Sequence, residues 1–165
     1  MREIGGRGQE RLLSGALRLV GQGRAQATAA AYLAAGGTEV DATGAPESGF
    51  GFDAPCAGSS PSPVGSLGEI PAVFVGPAPW IAIGRVGSSA RVVVRLAQGC
   101  ADCFRAATAP MREGIAPGLA SAAGAVAALA GQRALLGLAE ALEVVDIGAD
   151  GQLAPGQPDR CEAHR

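Results

Sequence analysis

The chain contains no lysine and no asparagine, and all thirteen of its basic residues are arginine. Any charge neutralisation at a phosphate group would therefore have to come from arginine. Aromatic residues make up only 4% of the chain, so its core has to be built from alanine, valine and leucine. The formal net charge of −2 gives no reason to expect a nucleic acid or an anionic membrane as a partner.

Four potential metal ligands occur in two closely spaced pairs. Cys100 and Cys103 form a C-x-x-C motif, and Cys161 and His164 form a C-x-x-H motif near the end of the sequence. A two-residue gap lets both side chains of a pair reach one ion, so the four residues predict a closed, structural Zn²⁺ site. Such a site would clamp the end of the chain to its middle. The alternative is two unrelated cysteine pairs, or a disulfide with spare thiols.

The other candidates for chemistry are few. His164 is the only histidine and is assigned to the metal, so no Ser/His/Asp or Cys/His catalytic set is left. Cys56 has no basic residue within several positions to stabilise a thiolate, which favours an incidental cysteine. Scattered arginines, which are Arg24, Arg85, Arg91 and Arg95, could line a phosphate pocket or belong to the solvated surface. The paired cysteine spacing and the lack of an apolar signal at the N-terminus lead us to expect a protein of the reducing cytoplasm.

The first 41 residues predict a Rossmann-like β-α-β unit. A strand at 16–20, a glycine turn, a helix at 25–35 and a second strand at 38–41 follow in order. Gly21 and Gly23 would let a phosphate approach the helix N-terminus, and Asp41 lies where a ribose-binding acid would. Gln26 replaces the third glycine of the usual motif, so a plain glycine turn stays an equal alternative. Asp41 could likewise only cap a turn.

The rest of the chain predicts a loop followed by strands and one long helix. Residues 42–68 are rich in glycine, serine and proline and show no periodicity. Further strands are predicted at 72–75, in a hairpin at 80–85 and 90–96, and at 142–147. Residues 119–138 predict a helix that is apolar nearly all round, which favours a buried core helix over a membrane span. We expect one domain over residues 1–165.

Several segments resemble the ThiF/MoeB/HesA family of ubiquitin-activating-like adenylyltransferases. They are EIGGRGQERLL at 3–13, AYLAAG at 31–36, PWIAIGRVG at 79–87 and EGIAPG at 113–118, together with the two cysteine motifs. The resemblance covers about two thirds of the chain. It implies a reduced α/β Rossmann-like ThiF-type fold with a zinc-clamped C-terminal half. Gly21, Gly23 and Asp41 are the nucleotide-binding candidates, with ATP and Mg²⁺ as the cofactors.

The departures from the family pattern change the activity that we expect of this chain. The family adenylates the C-terminal glycine of a ubiquitin-like or sulfur-carrier protein, and it uses a lysine at the ATP phosphates that this chain lacks. The acceptor cysteine expected after the C-x-x-C motif is also missing. We therefore expect a pseudoenzyme that acts as a binding or scaffold subunit, as a homodimer or with a longer homologue. The alternatives are a minimal active adenylyltransferase that uses arginines, and a gene fragment.

Overall fold

The computed structural model describes residues 5–20, 24–41, 51–53, 80–96, 98–112, 114–157 and 161. Within these residues the chain forms four helices: α1 Gly6–Ser14, α2 Arg24–Ala35, α3 Ala101–Thr108 and α4 Pro117–Leu136. It also forms seven strands: β1 Ala16–Val20, β2 Glu39–Asp41, β3 Gly51–Asp53, β4 Trp80–Val86, β5 Ser89–Arg95, β6 Leu142–Ile147 and β7 Leu153–Pro155.

The strands form one mixed sheet in the order β2-β1-β3-β4-β5-β6-β7. Strands β1 and β2 are parallel and are connected through α2, which confirms the predicted β-α-β start. The other neighbouring pairs are antiparallel, so β4 to β7 make a four-stranded antiparallel unit. The fold is therefore mixed α/β, and its parallel part is limited to one pair among the described strands.

Two short strands and one helix depart from the sequence expectations. Strand β3 lies inside the segment 42–68, so the loop prediction is wrong at the three residues of this strand. Strand β3 pairs with β1 on one side and with β4 on the other. Strand β7 and helix α3 were not predicted at all. The strand predicted at 72–75 lies outside the described residues.

The β4–β5 hairpin is buried on both faces, because side chains alternate between the faces along each strand. Strands β4 and β5 turn at Gly87, whose φ of 59° favours glycine. One face joins the core beneath α2 and α4 through Ile81, Ile83, Ala90, Val92 and Val94. The opposite face packs against α3 through Trp80, Ala82 and Val93. The hairpin thus holds a helix layer on each side of the sheet.

Helix α4 crosses α2 at a glycine. A Cβ atom at Gly124 would collide with the carbonyl oxygen of Ala25 and would lie 3.0 Å from the Cβ of Thr28. The small buried residues of α4 therefore contact elements of the same chain; they include Ala120, Ala123, Ala127 and Ala128. Ala127 and Ala128 are 0% and 1% exposed, so both are covered by other parts of the same chain.

Helix α4 ends at a glycine and is tied to the sheet by an ion pair. Gly137 has a φ of 73°, and the N–H groups of Gly137 and Leu138 donate to carbonyls of the last helical turn. Arg133 of α4 then donates to a carboxylate oxygen of Glu143 in β6 at 2.9 Å. The helix C-terminus is thereby fixed against the strand that pairs with the hairpin.

By length and composition alone, α4 is also able to cross a membrane. Its 20 residues have a mean hydropathy of 1.3 over the most apolar 18-residue window, and 39% of that window is buried inside the protein. Core helices of water-soluble proteins pass the same test.

We expect Gly124→Ala to destabilise the protein, because the added methyl group meets the α2 backbone. Overpacking of this kind costs about 1–3 kcal/mol, which exceeds the gain of about 1 kcal/mol that alanine brings to a helix. Gly118→Ala is the matched control, since it lies in the same helix and its new Cβ would meet no atom within 4 Å. Thermal unfolding followed by circular dichroism should show a lower Tm for the first variant only. Equal Tm values would contradict the close α2–α4 contact.

Candidate metal centre

The C-x-x-C motif is presented by a tight turn between β5 and α3. The N–H of Gly99 donates to the carbonyl of Leu96 at 2.8 Å, and the N–H of Leu96 donates to the carbonyl of Ala141 at 3.0 Å. A side chain at Gly99 would collide with that same Ala141 carbonyl. The turn is therefore held against the segment that leads into β6, and it directs the chain into α3 at Cys100.

Cys100 and Cys103 occupy the first turn of α3. Cys100 is the N-cap residue, and its carbonyl accepts a hydrogen bond from the N–H of Phe104 at 3.1 Å. Phe104 is 2% exposed and packs beneath the sheet, which fixes the rotation of the helix. Both sulfurs are thus carried by a rigid element at the positive end of a helix, where thiolates are stabilised.

Cys161 brings the distant end of the described chain to this motif. Its sulfur lies 3.4 Å from the sulfur of Cys103 and 3.7 Å from that of Cys100. All three sulfurs lie within 4.8 Å of one another, and none is in a disulfide. Cys103 is buried, whereas Cys100 and Cys161 are half-buried. The three cysteines form a cluster that could hold a metal ion.

The spacing of the sulfurs fits a tetrahedral metal–thiolate site. Sulfur atoms that share one Zn²⁺ at about 2.3 Å lie about 3.8 Å apart in a tetrahedron. The distances from Cys161 to Cys103 and Cys100, at 3.4 and 3.7 Å, are close to this value. Three thiolates are soft ligands that suit Zn²⁺ and Cu(I) better than Mg²⁺ or Ca²⁺.

Backbone donors favour the thiolate form of Cys100. The pKa of its thiol is lowered chiefly because the backbone N–H of Cys103 donates a hydrogen bond to the sulfur. Contacts with the Cys161 and Cys103 thiols and with the N–H of Asp102 lower the pKa further, while desolvation opposes them. Metals bind the deprotonated thiol, so these donors prepare the site for a cation.

The remaining predicted site residues are less fully placed. Gly21, Gly23 and His164 lie outside the described residues. Asp41 is the last residue of β2, as predicted, and pairs in register with Arg18 of β1. The structure therefore brings together three of the four predicted metal ligands, and the roles of His164 and of the nucleotide candidates stay predictions.

Two arginines that were grouped with a phosphate pocket or the solvated surface belong instead to the α3 face of the sheet. Arg91 makes a two-point ion pair with Asp146 of β6, at 2.7 and 2.8 Å. Arg95 is 4% exposed, and its Nε donates to the carbonyl of Gly99 at 2.8 Å. The alternation along β5 could have revealed this, because it places both arginines on the same face as the buried Val93.

No model of a known protein family matches the chain, and no curated protein matches its sequence.

We expect Cys103→Ser to remove most of the affinity for divalent metal, because Cys103 supplies the buried sulfur of the cluster. Cys56→Ser is the matched control, since Cys56 belongs to neither motif. Titration with Co²⁺, followed through the cobalt–thiolate charge-transfer absorption, compares the two variants with the wild type. A Cys103→Ser protein that binds cobalt as tightly as the control would show that the three sulfurs do not share an ion.

Proposed function

We propose that this chain is a shortened relative of the ThiF/MoeB/HesA adenylyltransferases that serves as a non-catalytic binding or scaffold subunit. One observation carries the proposal: Cys161 lies against the C-x-x-C motif, and that motif follows the antiparallel β4–β5 hairpin along the chain. The ThiF/MoeB/HesA pattern that the sequence resembles has the hairpin and the two metal motifs in the same order. The parallel β1–α2–β2 unit at the start of the chain supports the same relationship.

The metal in this proposal is Zn²⁺, and its fourth ligand is His164. Three thiolates and one imidazole give a closed tetrahedral site without an open position for a substrate, so the role of the ion is structural. A reducing compartment such as the cytoplasm would keep the three thiols available to the metal. The ion would fix the end of the chain against α3.

The non-catalytic part of the proposal rests on missing charge and a missing nucleophile. Attack of a carboxylate on the α-phosphate of ATP requires neutralisation of the phosphates, and the chain has no lysine to supply it. The segment that follows the C-x-x-C motif completes α3 and then pairs with β4 through Arg112 and Arg85. It contains no cysteine after Cys103 that could accept an acyl group.

The alternative is a minimal active adenylyltransferase that uses arginine in place of lysine. Arg24 favours it, because this residue follows Gly23 in the sequence, is the first residue of α2 and is exposed. A guanidinium at a helix N-terminus is able to contact a phosphate.

We expect no ATP–pyrophosphate exchange when the purified chain is mixed with ATP, Mg²⁺ and a ubiquitin-like or sulfur-carrier protein. The reason is the missing lysine at the phosphates. Titration calorimetry should likewise show weak Mg-ATP binding at most. Robust exchange that is lost in Arg24→Gln and retained in Arg105→Gln would establish the active alternative and overturn the scaffold proposal. Arg105 is a suitable control because it is exposed and pairs with Asp102 on α3.

The scaffold proposal includes association with a second copy or with a longer homologue. Three neighbouring helices each expose one large apolar side chain: Leu13 of α1, Tyr32 of α2 and Leu129 of α4, at 60%, 59% and 58%. Helix α4 contacts both α1 and α2, so these side chains belong to one helix layer.

We expect the wild-type chain to be a dimer at micromolar concentration. Leu129→Glu should shift it to monomer, because the dimer interface would then bury an unpaired carboxylate. Leu153→Glu is the control, since Leu153 is 62% exposed but lies on the edge strand β7. Light scattering coupled to size exclusion measures the mass of each. A folded wild-type monomer that also recovers no homologue from its host would exclude this partner proposal.

A further inference from the structure

Arg95 is a buried cation immediately before the metal motif. It is the last residue of β5, it is 4% exposed, and it lies on the face of the sheet that α3 covers. Only residues 96–99 separate it from Cys100 in the sequence. Removing a guanidinium from water in this way is unfavourable unless anionic or carbonyl partners compensate it. Its position therefore calls for partners that favour a positive charge.

Arg95 is bonded to the turn that leads into the cysteine motif. Its Nε donates to the carbonyl of Gly99 at 2.8 Å, one residue before Cys100. Burial lowers the pKa of the guanidinium, and the charge of the Cys100 thiolate opposes that shift. Arg95 is thus bonded to the backbone that presents the first sulfur.

The aliphatic part of Arg95 also shapes the turn. A Cβ at Gly99 would lie 2.9 Å from the Cγ of Arg95, besides colliding with the Ala141 carbonyl. A side chain at Gly99 would therefore meet both the stem of Arg95 and the residue that precedes β6. Moving Arg95 would release the turn, and with it the position of Cys100 relative to Cys103.

We propose that Arg95 is the counter-cation and positioning residue of the Cys100–Cys103–Cys161 cluster. One divalent cation with three thiolates carries a single net negative charge, which the guanidinium neutralises inside the protein. The same side chain holds the turn through Gly99, so charge and geometry act on the cluster together. This inference rests on the metal site of the proposed function and adds the residue that stabilises its charge.

The fixed shape of the guanidinium matters for this role. Lysine would keep the positive charge but, as a point charge on a flexible stem, would lose the Nε–H bond to the Gly99 carbonyl. Glutamine would keep a polar end but remove the charge. The two substitutions therefore separate the electrostatic contribution from the bond that positions the turn.

The test compares the zinc affinity of wild-type protein with Arg95→Gln, Arg95→Lys and the control Arg105→Gln. Affinities are measured by competition with a chromophoric chelator. We expect Arg95→Gln to weaken zinc binding by about 10–100-fold, the usual effect of losing a residue that supports metal ligands. Arg95→Lys should recover part of that loss, and Arg105→Gln should match the wild type because Arg105 is exposed and paired with Asp102.

Folding is checked in each variant through the fluorescence of Trp80, the single tryptophan, which is 1% exposed on the same face of the sheet. If Arg95→Gln does not fold, Arg95→Lys decides, and an affinity intermediate between a cysteine variant and wild type supports the inference. Folded Arg95→Gln protein with wild-type zinc affinity would overturn it, as would a lysine variant no better than glutamine. Wild-type protein that binds no zinc would overturn the metal site itself, which is a distinct result.

Discussion

Burial of the β4–β5 hairpin on both faces is the constraint on which the rest of the structure depends. The hairpin accepts α4 and α2 on one face and α3 on the other, so neither helix layer is positioned without it. Only four residues separate its second strand from Cys100 in the sequence. The core on one face therefore determines where the clustered cysteines lie, because Phe104 of α3 is part of that core. The packing of this core and the relative positions of the cysteines are therefore determined together.

A core with few aromatic side chains imposes close approach of backbones. Alanine and glycine fill little space, so α4 has to lie directly against α2 to exclude water. Gly124 meets the Ala25 carbonyl, and Gly131 lies within reach of a Leu17 methyl group. Such contacts tolerate no added volume. Two-point ion pairs at the sheet, such as Arg91 with Asp146, then add directional contacts that the small side chains lack.

The sequence could predict the elements with strong periodicity and the cysteine convergence, but it could not predict short elements or the surroundings of the site. Strands β3 and β7 have three residues each, too few for alternation to register, and they depend on pairing with β1, β4 and β6. Helix α3 has only eight residues, and its buried side is Cys103, Phe104, Ala107 and Thr108. Spacing identified Cys100, Cys103 and Cys161, whereas the burial of Arg95 beside the turn that precedes Cys100 emerges only when the face of β5 that meets α3 is known. The limits of α4 were close to the prediction because Gly137 ends the helix.

The distance in sequence between the joined sulfurs has a topological consequence. Cys103 and Cys161 are separated by 58 residues, and the intervening chain contains α3, α4, β6 and β7. An ion held by both would close this stretch into a ring, and closure of a ring of that length lowers the conformational entropy of the unfolded chain by an amount worth about 4 kcal/mol. A protease cut at the exposed turn between β6 and β7 would then leave two fragments that remain attached through the ion, as a nicked ring rather than a severed chain.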